Sequence, residues 1–296
     1  MRKTLLIIII IIPTLLFSQR RNRYKYEWIG GIGYTNFLGD LGGSPDIGKH
    51  AFQDWNWTSS AEAVTIGLRY KNSRYFGVKA ALSFAMLYGN DKLTTNVYRE
   101  NRNLNFRSQV VELSAQAEYY FTKEKQGHLY RIKNAKGAKS LDLQGYAFAG
   151  LGGLFFNPQG KYINGQWVNL RPLSTEGEGL PGGPAKYSPF TMSFPFGLGV
   201  KYGLDRQWSI GLEVGLHYTL SDYIDDVSGT YYDNNKIRQA KGDVAAYMAD
   251  PSLGKVNGQS DAGQERGNPK YKDAYMFAVV NANYKVMYRK RTRSKF

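Results

Sequence analysis

The chain has 296 residues, no cysteine and a formal net charge of +15. Without cysteine there are no disulfides, thiol nucleophiles, thiolate metal sites or lipid-modified amino-terminal cysteine, so an exported chain must gain its stability in another way. Abundant Tyr (23), Phe (15) and Gly (33), with a mean hydropathy of -0.46, fit strands that are only half apolar joined by long polar loops.

Met1, Arg2 and Lys3 precede a run that is apolar through Phe17 except for Thr4, Pro13 and Thr14. The run is shorter than the roughly 20 residues a spanning helix needs, and Arg20 and Arg21 follow soon after it. It reads as a secretory signal peptide over 1–18, cleaved after Ser18. Loss of Arg2 and Lys3 lowers the charge from +15 to +13. Residues 19–296 are expected to form one domain with a basic tail at 289–296.

Period-two alternation recurs in chain order at 26–37, 61–70, 75–88, 108–121, 143–156, 190–202, 208–219 and 274–288. The seventh segment, SIGLEVGLHY at 209–218, sets Ile210, Leu212, Val214, Leu216 and Tyr218 on one face and Ser209, Gly211, Glu213, Gly215 and His217 on the other. Two surfaces want that pattern, a half-buried strand of a soluble sandwich and a membrane barrel strand with lipid outside and a polar lumen inside. Length favours the barrel, since a tilted membrane strand needs about 9–11 residues and soluble strands average five or six. Aromatic residues close the apolar rows at Tyr70, Phe76, Tyr88, Tyr119, Phe121, Tyr202 and Tyr218, where an interfacial girdle belongs. The run Gly150, Leu151, Gly152, Gly153 falls inside a strand, where glycine permits close packing, and is no phosphate loop.

The connections alternate in length. Residues 71–74 and 203–207 are tight turns, whereas 38–60, 89–107, 157–189 and 220–273 are long. Turns on the periplasmic side and loops outside is the habit of outer-membrane barrels, with 122–142 as a long periplasmic exception. The expected fold is all-β: an eight-stranded up-and-down antiparallel transmembrane β-barrel with long extracellular loops and a short loop helix over 234–248, interrupted at Gly242.

Two charge patterns follow. In the lumen of so small a barrel, Arg69, Lys79 and Lys201 are expected to face Glu112, Glu118 and Glu213 as a packed network. At the periplasmic rim the excess collects: Arg20, Arg21, Arg23 and Lys25; Lys71 and Arg74; Lys123, Lys125, Arg131, Lys133, Lys136 and Lys139; and Arg289, Lys290, Arg291, Arg293 and Lys295. Such a rim suits anionic headgroups of outer-membrane lipids and the acidic surface of a periplasmic protein. Nucleic acid does not fit the compartment.

Candidate chemistry is sparse. His50 lies in the first loop, His128 in the long periplasmic connection and His217 on the lumen row four residues from Glu213, with no serine completing a nucleophilic set. Asp222, Asp225 and Asp226 offer oxygen ligands for calcium, but their spacing is not an EF-hand and Asp at such a position commonly makes turns. No catalytic residue, cofactor, metal or small-molecule substrate is expected.

The sequence resembles the PorG-like outer-membrane barrels of type IX secretion systems. The resemblance is carried by GGIGYTNFLGDLGG at 30–43 and SDYIDDVSGTY at 221–231, with weaker echoes at 148–152 and 245–251. It implies a non-enzymatic component of protein secretion, and possible service to gliding motility, beside a periplasmic ring-forming lipoprotein and its partner. It also marks Asp222, Tyr223, Asp225 and Asp226 as a loop motif. The alternative reading is a free-standing barrel acting as an adhesin or membrane-stabilising surface protein; a barrel enzyme is a third.

Overall fold

The structure, a computed structural model, describes residues 24–41, 59–122, 143–205 and 207–287. Its strands are β1 (Tyr24–Leu38), β2 (Ala61–Lys71), β3 (Phe76–Asn90), β4 (Asn105–Tyr120), β5 (Leu143–Lys161), β6 (Trp167–Asn169), β7 (Phe190–Gly203), β8 (Trp208–Thr219) and β9 (Ala274–Met287). All but β6 form the wall. Each pairs antiparallel with its neighbour in the chain, and β1 closes on β9 from Tyr24↔Met287 to Leu38↔Ala274. The result is a closed eight-stranded up-and-down barrel, with β6 paired only to the projecting end of β5.

The alternation decides which side faces what. Trp28, Ile32, Leu113 and Leu198 point outward and are 59–70% exposed, while their neighbours in the pleat turn inward. A soluble sandwich would hide that row against a second sheet, whereas here it forms a continuous apolar wall. Within 209–218, Ile210 and Leu212 face out and Glu213 and His217 are buried, which settles the alternative in favour of the membrane strand. Cross-strand aromatic pairs ring the two ends: Tyr26–Tyr70, Phe76–Tyr119 and Trp208–Tyr284 at the end of the tight turns, and Phe155–Phe190 at the other, with ring centroids 4.9–5.1 Å apart.

The tight turns are locally coded. Ser73 Oγ accepts the backbone N–H of Tyr75 and Phe76, and Asp205 Oδ1 accepts those of Gln207 and Trp208. The long loops at the opposite rim carry α1 (Val97–Arg102), α2 (Asn234–Lys241) and α3 (Asp243–Ala249). Helices α2 and α3 meet at Gly242, whose φ of 90° lies where a side chain is disfavoured, so the break read at that glycine is present.

The lumen is not uniformly polar. Its periplasmic half holds charged and hydroxyl groups, but its outer half is an apolar core of Phe37, Leu87, Phe106, Val110, Leu154, Phe156 and Phe277. Ile224 and Val227 of the last loop insert into this core. Glycine makes room lower down. Gly199 lies against Tyr146, and a Cβ there would sit 2.3 Å from the ring's Cζ. Gly199→Ala is therefore expected to cost about 1–3 kcal/mol in urea unfolding followed by gel mobility. Leu198→Val, on the lipid face beside it, should cost under about 1 kcal/mol.

Candidate functional site

One arginine organises the lumen. Arg69, on β2, is fully buried, and all five of its N–H groups are used. Nε donates to Glu118 (2.6 Å), Nη1 to Glu27 (3.1 Å) and Asn283 (2.9 Å), and Nη2 to Tyr146 (3.3 Å) and Glu213 (3.2 Å). Around it Lys79 donates to Glu213 (2.6 Å), Lys201 to both Glu27 oxygens (3.1 and 2.9 Å), and Lys71 to Gln144 (3.2 Å). Tyr120 and Tyr146 donate to Glu118 and Glu213. A network so dense, with Glu118 Oε1 left without a hydrogen-bond partner, offsets much of the desolvation that burying these charges costs.

Its membership differs from the expected set. Glu112 does not join Arg69, Lys79 or Lys201; it accepts from Tyr275 Oη (2.7 Å) and lies 2.9 Å from His217 Nδ1, one layer higher. The third carboxylate on Arg69 is Glu27 of β1, and Lys71, assigned to the rim turn, turns into the lumen beside it at 3.3 Å. His217, considered beside Glu213, pairs instead with Glu112 and packs against the rings of Tyr275 and Phe277, buried under the apolar layer. That is a structural histidine's surroundings.

The two sequence motifs meet above that layer. Asp225 accepts the Leu41 backbone N–H (3.1 Å) and that of Val227 (3.0 Å), tying the exit of β1 to the last loop. Asp273 accepts from Ile224 N–H (2.9 Å), and Glu176 from Ser228 and Gly229 N–H (2.9 and 3.0 Å) and from Arg266 (3.0 Å). Asp226, at φ 65°, accepts from Thr175 Oγ1 and Tyr187 Oη, and Asp222 from Ser228 Oγ. Tyr223 stacks on Tyr187 at 4.5 Å. The three motif aspartates thus spend their oxygens on separate donors, and among the described residues no group of acids or histidines is arranged to hold a metal ion. They fasten a plug.

Burial and mutual repulsion raise these carboxyls. Asp225 and Asp273 are pushed well above the usual carboxylate range by burial and by nearby acids. Asp222 and Asp226 rise to about 6, and Glu178, buried beside Asp226, rises to about 8.

The rim residues Lys123, Lys125, Arg131, Lys133, Lys136, Lys139, Arg289, Lys290, Arg291 and Arg293 lie outside the described residues, as do the segment 1–18, His50 and His128. Arg74 is exposed at its turn. Sequence reasoning missed Asp273, Glu176 and Arg266, isolated loop residues that only the folded plug assembles, and gave Asp40 no role of its own within the motif at 30–43.

No protein-family model matches the chain, and no curated protein matches it. Among solved structures it is similar to Neisserial surface protein A, with TM-score 0.39 and 9% identity over 88% of this chain and 97% of that one. Similar too are the attachment invasion locus protein Ail of Yersinia pestis (TM-score 0.37, 9% identity, 90% and 100% covered) and the outer membrane protein OprG of Pseudomonas aeruginosa (0.38, 9%, 90% and 99%). Likeness at this level carries no weight beside the strand pairing itself. A closed barrel, apolar outside and charged in its lower lumen, pairs each wall strand with two neighbours and leaves no open sheet edge, with a break in the β5–β7 ladder at Pro195, and helices and closed barrels are what a bilayer admits; the chain is an eight-stranded outer-membrane β-barrel protein.

Proposed function

We propose that this barrel is a non-enzymatic outer-membrane component of a type IX protein secretion apparatus, serving gliding motility where that apparatus does. In this reading its basic rim docks to a periplasmic ring-forming lipoprotein and its partner. The observation that carries the reading is the plugged lumen: the charged groups in the lower half are paired with one another and the upper half is filled by apolar wall residues with Ile224 and Val227 among them, so what the barrel offers is its surfaces. The resemblance of 30–43 and 221–231 to the PorG-like barrels points the same way, and Asp225 binding Leu41 N–H gives the two segments a shared structural task.

The test is affinity capture of the full chain from crosslinked, detergent-solubilised envelopes. A periplasmic lipoprotein and its partner should co-purify. Replacing the Lys and Arg of 123–139 and 289–295 by Gln should lower their recovery on the order of a hundredfold, at a few tenths of a kcal/mol per charge. Recovery unchanged by neutralisation, or no periplasmic protein captured, would overturn the docking.

A further inference from the structure

The outer rim carries a feature that neither the lumen nor the docking reading uses, an open cleft of about 670 Å³ between α1 and the loop 253–268. Its size falls within the roughly 300–1,000 Å³ usual for small-molecule sites. The walls are fixed. Asn101, only 1% exposed, donates to Gln259 Oε1 (2.7 Å) and accepts the backbone N–H of Lys255 (2.6 Å), while its carbonyl accepts that of Leu253 (2.9 Å). Gln259 Nε2 donates in turn to the Tyr98 carbonyl (2.8 Å). On the far side Asp40 Oδ2 accepts Asn268 N–H (2.9 Å), and Arg266 and Gly267 N–H both reach the Gly229 carbonyl. A ligand would meet a preformed wall and spend little of its binding energy on ordering it.

The lining narrows the chemistry. Tyr98 is 64% exposed and offers a ring face, while Asn257, Gln264 and Glu265, also in the lining, are exposed. Each arginine of the lining is paired with an acid, Arg102 and Arg99 with Asp91 and Arg266 with Glu176, although Arg266 Nε has no hydrogen-bond partner of its own. Counting those acid partners together with Asp40 and Glu265, the cleft carries no positive excess to draw a phosphate or sulfate. Its apolar lining, Tyr98 and Val256, is too small for an acyl chain or a row of hydrophobic side chains. Amides and a carboxylate are planar two-point partners for neighbouring hydroxyls, and an aromatic ring takes the C–H face of a pyranose.

We propose that this cleft binds an uncharged sugar residue of a glycan at the cell surface, with Tyr98 as the stacking platform and Asn257, Gln264 and Glu265 as hydroxyl partners. The sugar can come from a lipid-linked saccharide of the same membrane or from a soluble oligosaccharide outside.

The experiment is calorimetric titration of the full chain in lipid nanodiscs with methyl glycosides of glucose, galactose and N-acetylglucosamine. A second arm uses lipopolysaccharide with and without its outer saccharide. Saturable binding of a glycoside supports the proposal and a soluble source; binding of the long lipopolysaccharide but not the truncated one supports it and a lipid-linked source. Tyr98→Ala should weaken binding about tenfold, as loss of an aromatic contact does, with Gln264→Ala a milder second loss. Both side chains are exposed, and unchanged gel mobility of the unheated variants would show that the barrel still folds. No saturable signal in either arm, equal affinity in Tyr98→Ala, or saturation only by sulfated sugars or peptides would overturn it.

Discussion

Arg69→Met is expected to cost the folded barrel about 4 kcal/mol, the range in which removing one partner strands a buried charge. The loss falls unevenly. Glu213 keeps Lys79, and Glu27 keeps Lys201 and Lys71. Glu118 keeps only the Tyr120 hydroxyl at 2.6 Å, and its Oε1 has no hydrogen-bond partner. The penalty is therefore concentrated on one carboxylate, and Glu118→Gln added to Arg69→Met should recover about half of it by removing that charge. Arg69→Lys keeps a positive centre but cannot reach five acceptors, so it should fall between wild type and Arg69→Met. Urea unfolding in detergent, followed by tryptophan fluorescence and gel mobility, gives the ordering. A single substitution costing under about 1 kcal/mol, or a double variant no more stable than the single, would mean that the lysines and not Arg69 balance the lumen.

The wall was legible because period two is a backbone property. Wherever Val64, Ile66 and Leu68 alternate with Thr65, Gly67 and Arg69, the pleat dictates the sides whatever the neighbours are. The same parity continues to Lys71, one residue past the segment read, and holds at Glu27 between Tyr26 and Trp28 inside the first segment, so both lumen charges were readable from the pleat. Which carboxylate meets which cation was not. That depends on the stagger of closure, which sets Glu112 one layer above Arg69 and level with His217 and Tyr275, and a strand's own sequence does not encode stagger. The apolar upper lumen was hidden for a related reason. Leu87, Phe106 and Phe156 sit on inward positions that a lumen reading expects to be polar, and they make sense only once Ile224 and Val227 enter from a loop in a distant part of the chain. The loop aspartates were visible as a motif, but their acceptor roles belong to contacts such as Asp225 with Leu41, 184 residues apart.

Those contacts make the plug a proton-dependent fastening, and its expected response is loosening as pH rises. Ile224, Val227 and Ser228 are held through backbone N–H groups bonded to Asp273, Asp225 and Glu176. The acids crowd one another: Asp225 faces Asp40 and Asp273, and Glu178 faces Asp226 and Glu176. The cations they face are Arg266, Lys272 beside Asp222 and, more distantly, Arg102. With folded values raised above the unfolded ones, the closed plug binds protons more tightly than the open loop. Its added stability is fully present below the unfolded value near 4, and is lost as pH climbs through about 6 for Asp222 and Asp226 and about 8 for Glu178. Between about pH 5 and pH 9 the closed state should lose on the order of 3 kcal/mol. Hydrogen exchange at Ile224, Val227 and Ser228, normalised to intrinsic rates, should show protection falling over that interval while wall amides such as Leu212 hold theirs. Glu178→Gln removes the group that titrates highest and should flatten the upper part of the curve. Protection that stays level with pH would show that the carboxylates stay ionised throughout, and protection that rises, or a slope unchanged in Glu178→Gln, would equally overturn the proton-dependent fastening.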